Sequence, residues 1–137
     1  MGLVLDSSVL IAAEREAKPV SAILATIEKE SGETEVVLSS ITVIELEHGF
    51  HRANSAELAR TRRDYLDAVF AAIPVESFTK EMAQSAAKVD AEAKQAGRVI
   101  PFSDLLIGAT ALHFDYDVGT RNVRHFQMIP GLRVQRL

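Results

Sequence analysis

Carboxylate side chains interrupt three apolar segments of this sequence. Asp6 directly follows the apolar run "LVL", Glu45 lies within "ITVIELEHG", and Asp104 lies near the start of "IPFSDLLIGATAL". Three acids brought together would repel one another unless a cation lay between them. Carboxylate oxygens are hard ligands that suit Mg²⁺ or Mn²⁺, and a metal so held activates water and neutralises charge on phosphate. The three acids are therefore candidates for metal-dependent phosphoryl chemistry.

Each of these residues also has a simpler interpretation when it is taken alone. Asp104 is explained by the favourable interaction of an acid with the dipole at a helix start, with Ser103 as the N-cap of that helix. Asp6 is explained as the N-cap of the helix that follows it. Glu45 fits a solvated helix residue, and Asn122 in "GTRN" fits a turn residue. Only their combination favours a shared site.

Apolar periodicity and capping residues predict alternating strands and helices. Strands are predicted at 3–5, 34–40, 73–78, 114–120 and 132–137, and helices at 7–16, 19–30, 41–53, 55–72, 79–97 and 100–112. This alternation indicates an α/β domain with a mainly parallel sheet of four to five strands. Ligands bind such sheets beyond the carboxyl ends of the strands. Asp6 and Asn122 follow predicted strand ends, and Glu45 and Asp104 lie in early helical turns that can reach the same edge.

The composition is that of an ordinary globular protein. The 137 residues are 47% hydrophobic and 25% charged and contain no cysteine, which excludes disulfides and cysteine-based zinc sites. We expect one domain over residues 1–137. The N-terminus lacks the pattern of a signal peptide, and no apolar run reaches the roughly 20 residues of a membrane span, so we expect a cytoplasmic protein with no membrane contact. The net charge of −4 argues against a basic protein that coats nucleic acid. It does not exclude nucleic acid as a substrate.

Four blocks of the sequence together resemble the PIN-domain ribonucleases, and among them the VapC toxins of bacterial toxin–antitoxin pairs. The blocks are "VLDSSVLIA", "LSSITVIELEHG", "GRVIPFSDLLIGATAL" and "GTRNVRHFQMIPGLRV". They occur in the order found in the family and span nearly the whole chain.

The resemblance implies a three-layer α/β/α sandwich and an endoribonuclease that uses Mg²⁺ or Mn²⁺. It places the family's acids on Asp6, Glu45 and Asp104, which would hold the metal. The family's fourth acidic position falls on Asn122, which cannot supply a full charge. Ser7, Ser8 and Thr120 are predicted to orient the acids or metal-bound water, and the product implied carries a 5′-phosphate and a 3′-hydroxyl.

The resemblance also implies partners. We expect an RNA substrate, a cognate antitoxin of the VapB type, and a homodimer that forms a hetero-tetramer or a larger assembly with the antitoxin. Apolar residues of the helices between Pro19 and Ala71 are candidates for both protein surfaces. An alternative within the family is a non-toxin or catalytically weak PIN domain that binds or processes RNA.

The remaining histidines and arginines are weaker candidates. His48 and His51 share a helix with Glu45 but form no HExxH motif, so a metal face there is disfavoured. His125 is predicted to be structural and His113 to lie at a helix end. Arg98 and Arg121 are candidate RNA contacts, and so are Arg124 and the Arg60–Arg63 group, although solvated surface charge explains each of them equally well.

Two rival functions place an aspartate after the first strand. An aspartyl-phosphate phosphatase needs a second aspartate two residues later, where this chain has Ser8. A receiver domain needs a late lysine, and no lysine lies beyond Lys94. Both rivals are therefore disfavoured.

Overall fold

Five parallel strands form the centre of the molecule. The computed structural model describes all 137 residues. The strands are β1 (Gly2–Leu5), β2 (Glu35–Ser39), β3 (Val75–Glu76), β4 (Asp117–Thr120) and β5 (Val134–Arg136). Their order in the sheet is β3-β2-β1-β4-β5, and every neighbouring pair is parallel. The predicted α/β class and strand number are confirmed.

Seven helices surround this sheet. They are α1 (Ser7–Arg15), α2 (Val20–Ser31), α3 (Ser40–His51), α4 (Ala56–Ala72), α5 (Lys80–Gln95), α6 (Phe102–Phe114) and α7 (Val123–Gln127). Side chains alternate along a strand, so β1 supplies both faces of the sheet. Leu3 and Leu5 join the core under α1, α2 and α4, whereas Val4 joins the core under α5 and α6. The three-layer arrangement is thus confirmed.

The structure corrects several predicted boundaries. The third strand is only two residues long, and the fourth begins at Asp117 because α6 continues through Phe114. Asp115 ends α6 in the left-handed conformation, with φ of 55°. The short helix α7 was not predicted, since five residues carry too little periodicity to be recognised.

The helices are short or polar enough that none could cross a lipid bilayer.

The order of the strands determines where a crevice opens. From β1 the chain adds β2 and then β3 on one side, and it then returns to add β4 on the other side of β1. The carboxyl ends of β1 and β4 therefore flank the point where the winding direction reverses. In open parallel sheets this point is the usual ligand site.

Candidate functional site

The carboxyl ends of β1 and β4 bring two polar side chains together. Leu5 of β1 pairs with Gly119 of β4, and the backbone N–H of Asp6 donates to the Gly119 carbonyl at 2.9 Å. Asp6 therefore lies beside Thr120, although the two are far apart in the chain. Both are buried, with Asp6 only 1% exposed.

The Asp6 carboxylate is held by hydroxyl groups and does not cap its helix. Asp6 is the N-cap residue of α1, as its simpler interpretation expects, but its side chain makes no capping hydrogen bond. Its Oδ2 atom accepts hydrogen bonds from Ser8 Oγ at 2.7 Å and from Thr120 Oγ1 at 2.8 Å. Oδ1 accepts none from the protein and stays available to a ligand.

Two backbone amides of the "TRN" segment orient these hydroxyls. The Arg121 N–H donates to Ser8 Oγ at 3.0 Å, and the Asn122 N–H donates to Thr120 Oγ1 at 2.9 Å. A hydroxyl that accepts from an amide keeps one proton to donate, and in both residues that proton goes to Asp6. The turn after β4 thus fixes the Asp6 carboxylate.

Glu45 extends from the second turn of α3 and is held by two other serines. Ser7 Oγ donates to Glu45 Oε1 at 3.1 Å, and Ser103 Oγ donates to Oε2 at 3.3 Å. These contacts join the starts of α1 and α6 to α3. Ser103 was predicted to cap α6, and that prediction is wrong: Pro101 occupies the N-cap position, and the Ser103 hydroxyl turns to Glu45 instead.

Asp104 lies in the first turn of α6 and is 7% exposed. Its Oδ2 atom is 2.7 Å from Nδ1 of His125 in α7, and its Oδ1 atom has no hydrogen-bond partner in the protein. An ionised carboxylate only accepts, so Nδ1 carries the proton in this pair. His125 therefore belongs to the site rather than being merely structural. The available sequence signal was its position one helical turn after Asn122.

The electrostatics show that the three acids act on one another. Burial raises the pKa of Glu45, the charge of Asp6 raises it further, and Asp104 adds to the effect. Burial also raises the pKa of Asp104; the hydrogen bond from His125 opposes this, and the charge of Asp6 reinforces it. Asp6, Glu45 and Asp104 thus lie near enough to one another, in a partly desolvated crevice, for their charges to interact, and we call them the acidic cluster.

The donor set of this cluster fits a hard divalent cation. As the side chains stand, no three acidic or histidine residues converge closely enough to hold a metal ion together. The aspartates nevertheless each keep one carboxylate oxygen without a protein partner. A cation that drew the three carboxylates inward would offset their repulsion, and oxygen ligands suit Mg²⁺ and Mn²⁺. Asp6, Glu45 and Asp104 are therefore the residues that could hold it.

The other predicted site residues lie at varying distances from this cluster. Asn122 is exposed at the start of α7, with φ of −104°, and its side chain caps nothing. Arg121 adjoins the site through its amide, while its guanidinium pairs with Glu16 at 3.6 Å. Arg98 is exposed in the turn after α5, and none of its hydrogen bonds or ion pairs involves the acids.

The remaining basic residues have mostly structural contacts. Arg63 makes two hydrogen bonds to Glu47, at 2.9 and 3.0 Å, and lies over the ring of Phe50. His51 packs edge-on against Phe50 at the end of α3. The side chain of His48 takes part in no hydrogen bond or ion pair and lines the same groove as Ile44 and Phe102. His113 lies in the last turn of α6, as predicted.

The sequence of this chain is similar to those of known proteins over most of its length. A model of the PIN domain matches residues 3–129. A ribonuclease VapC of Rickettsia bellii is 31% identical over 137 residues, covering 98% of this chain and 95% of that protein. The ribonuclease VapC19 of Mycobacterium tuberculosis is 33% identical over 116 residues, covering 85% of this chain and 86% of its own.

Solved structures show the same fold. The structure of VapBC2 from Rickettsia felis, bound to a DNA fragment from its promoter, contains a chain that matches with a TM-score of 0.86 at 20% identity, covering 100% of this chain and 99% of that one. A chain in the structure of FitAcB from Neisseria gonorrhoeae matches with a TM-score of 0.79 at 25% identity, covering 96% and 95%.

Proposed function

Because the chain belongs to the PIN-domain family, and within it to the VapC ribonucleases, we propose that it is a divalent-metal-dependent endoribonuclease that acts as the toxin of a toxin–antitoxin pair. The observation that carries the proposal is the group of Asp6, Glu45 and Asp104 at the reversal point of the sheet. Burial raises the pKa values of Glu45 and Asp104, and the charge of Asp6 raises both further. This arrangement is costly to the fold unless a cation binds there.

In the proposed mechanism the three carboxylates would hold Mg²⁺ or Mn²⁺, and Asn122 would assist from the adjoining turn. A divalent ion bound there would activate water and neutralise charge developing on the scissile phosphate. Ser8 and Thr120 limit the rotation of Asp6, and Ser7 and Ser103 limit that of Glu45, as contacts to metal ligands do. Hydrolysis would leave a 5′-phosphate and a 3′-hydroxyl.

The hydroxyls of the site argue against a covalent mechanism. Ser7 and Ser8 donate their protons to carboxylates, and neither forms a hydrogen bond with a histidine. A nucleophilic serine needs such a base close by. Water is therefore the proposed nucleophile.

The proposed protein partners are a VapB-type antitoxin and a second copy of this chain. The solved structures with this fold include a member of the VapBC family of toxin–antitoxin systems from Mycobacterium tuberculosis and a toxin–antitoxin complex from Klebsiella pneumoniae. Ile44 and Phe102 are 52% and 65% exposed, which is unusual for large apolar side chains, and both line a groove that includes Glu45. Such a surface supports a homodimer, extended to a hetero-tetramer or larger by the antitoxin.

The substitution Asp104→Asn tests the function. Asparagine is tolerated in a first helical turn but cannot ligate with a charge, so we expect RNA cleavage to fall by at least about 100-fold with the fold retained. Cleavage of a mixed RNA substrate is measured with Mg²⁺ or Mn²⁺ and with EDTA, and growth after induced expression is measured in parallel. Asp64→Asn, on the exposed face of α4, is the matched control.

Two results would contradict the proposal. Full cleavage by Asp104→Asn at saturating metal would remove the metal-ligand role. RNA binding without cleavage by the wild-type protein, unchanged by EDTA, would instead favour a PIN domain that binds RNA without cutting it.

A further inference from the structure

A groove between α1, α3 and α4 opens beside Glu45. Its volume is about 450 Å³, within the range of ligand sites in proteins. Leu46 and Leu66 form part of its apolar wall and are buried. Three arginines line it: Arg15 at the end of α1, Arg52 just after α3, and Arg62 in α4. We call it the arginine groove.

Two of these guanidinium groups have no partner. Arg15 and Arg52 are exposed, and neither takes part in an ion pair or a side-chain hydrogen bond. By contrast, Arg63 is paired with Glu47 and Asp67, and Arg121 is paired with Glu16. A free guanidinium presents several donors in a planar fork that matches phosphate oxygens.

The third arginine has a structural role in the same groove. Arg62 donates to the Gly49 carbonyl, and its Nε atom lies 4.0 Å from Glu14. These contacts tie α4 to α3 and α1 and fix the groove walls. Glu14 is thus partly neutralised, which leaves the free charge of Arg15 and Arg52 dominant away from Glu45.

We propose that the arginine groove binds the backbone phosphates of single-stranded RNA next to the phosphate that is cleaved. The inference rests on the proposed function and specifies how that site would hold its substrate. Glu45 lines the groove and also belongs to the acidic cluster. A strand whose scissile phosphate lies over the acids would thus place neighbouring phosphates along Arg15 and Arg52.

The charge distribution favours RNA over an acidic peptide as the occupant. The chain as a whole carries a net charge of −4, so an RNA strand needs a local cationic path to approach the acids. Ile11 and Leu58 also line the groove and are only half-buried, so they offer an apolar surface for ribose and base. An acidic peptide has no reason to adjoin the acidic cluster, whereas a strand being cleaved there must.

Binding measurements without cleavage test the inference. Fluorescence anisotropy is measured with a labelled single-stranded RNA of about 12 nucleotides, in EDTA, over a salt series from about 0.1 M upward. For the double variant Arg15→Gln/Arg52→Gln, loss of two phosphate contacts should weaken binding about 25-fold at about 0.1 M salt and reduce the salt slope by about 1.4. Arg15→Lys/Arg52→Lys should retain most of the affinity, because charge is the main requirement.

The matched control is Arg60→Gln. Arg60 was a candidate RNA contact in the sequence, but in the structure it is an exposed residue of α4 that does not line the groove, so its loss should change the affinity by less than about 2-fold. Circular dichroism and thermal unfolding confirm that each variant is folded. All the substituted side chains are exposed, and wild-type stability is expected.

The outcomes separate this inference from the proposed function. If the wild-type protein cleaves RNA but the double variant binds RNA as tightly as wild type or as Arg60→Gln, the groove assignment is wrong and the nuclease assignment stands. If a labelled glutamate-rich peptide loses affinity in the double variant while RNA does not, the groove binds an acidic protein segment and the inference is also overturned. If the wild-type protein neither binds nor cleaves RNA, the proposed function itself fails.

Discussion

Hydroxyl groups are as much a part of this site as carboxylates are. Four of them, from Ser7, Ser8, Ser103 and Thr120, donate to Asp6 or Glu45. Each donation limits the rotation of the carboxylate that accepts it. The acids therefore stay oriented despite the repulsion between them.

His125 supplies the corresponding contact for Asp104. Its hydrogen bond lowers the pKa of Asp104 against the effect of burial. Removing the ring in His125→Ala should raise the pKa of Asp104, so that this carboxyl stays protonated to higher pH and competes less well for metal. We expect Mn²⁺ affinity to fall by about 10-fold, the size typical of lost contacts to ligands. Isothermal titration calorimetry at several pH values measures the Mn²⁺ affinity. The difference in affinity between wild type and His125→Ala should shrink as the pH rises.

The variant His125→Asn provides the control for this prediction. Its amide can still donate from roughly the place of Nδ1, so much of the affinity should return. Equal Mn²⁺ affinity of wild type and His125→Ala at about pH 6 would show that the contact does not tune Asp104.

At the scale of secondary-structure elements, the close packing of β4 against β1 holds the site together. A Cβ atom built on Gly119 would lie 2.6 Å from Leu137, 3.1 Å from Leu5 and 3.3 Å from Leu3. Leu3 and Leu5 are fully buried and cannot move aside. Glycine at this position therefore lets Thr120 reach Asp6.

Gly119→Val should destabilise the protein by about 2–3 kcal/mol through overpacking. The melting temperature should fall by roughly 10 °C, and RNA cleavage should fall as well, because the displaced strand carries Thr120. Thermal and urea unfolding measure the first effect, and a cleavage assay measures the second.

Gly49→Ala tests the opposite case. A Cβ atom on Gly49 has no neighbour within 4 Å, and the residue lies within α3. Alanine is preferred to glycine in a helix by about 0.5–1 kcal/mol, so this variant should gain that much stability. A loss of stability in Gly49→Ala, or none in Gly119→Val, would contradict the packing described here.

At the scale of the whole molecule, the acidic cluster lowers the stability of the folded protein while it provides a candidate binding site. The pKa of Glu45 is raised in the folded protein, first by burial and then by Asp6. A raised acid pKa means that ionisation favours the unfolded state. The cost is absent at pH values below the ordinary value of 4.5, develops as the pH rises from there through the raised pKa, and persists above it.

Glu45→Gln should therefore be more stable than wild type in EDTA at about pH 7, and the difference should disappear near about pH 4. Urea unfolding at several pH values measures it. Glu47, two residues along α3, has a lowered pKa because Arg63 hydrogen-bonds to it. Glu47→Gln should thus show the opposite sign at about pH 7 and serves as the control. A less stable Glu45→Gln under these conditions would mean that the cluster carries no electrostatic cost.

Much of the fold was predictable because its signals are local. Alternation of apolar runs with capped helical stretches gave six of the seven helices and all five strands, and strand ends followed by acids indicated one edge of a parallel sheet. The short helix α7 was missed and the ends of β3 and β4 were misplaced, because a few residues at the end of an element carry too little pattern. The family resemblance added the order of the four blocks.

The sequence by itself thus determined the α/β class and the places of the three acids relative to strands and helices, since strand, helix and carboxylate are properties of short segments. Tertiary structure alone decided which group contacts which acid. Ser103 donates to Glu45 instead of capping α6, and His125 contacts Asp104. Arg15 and Arg52 line one groove, whereas Arg63 is paired with Glu47. Each of these contacts joins residues 16 or more positions apart in the chain, and such distances are closed only when the helices pack on the sheet.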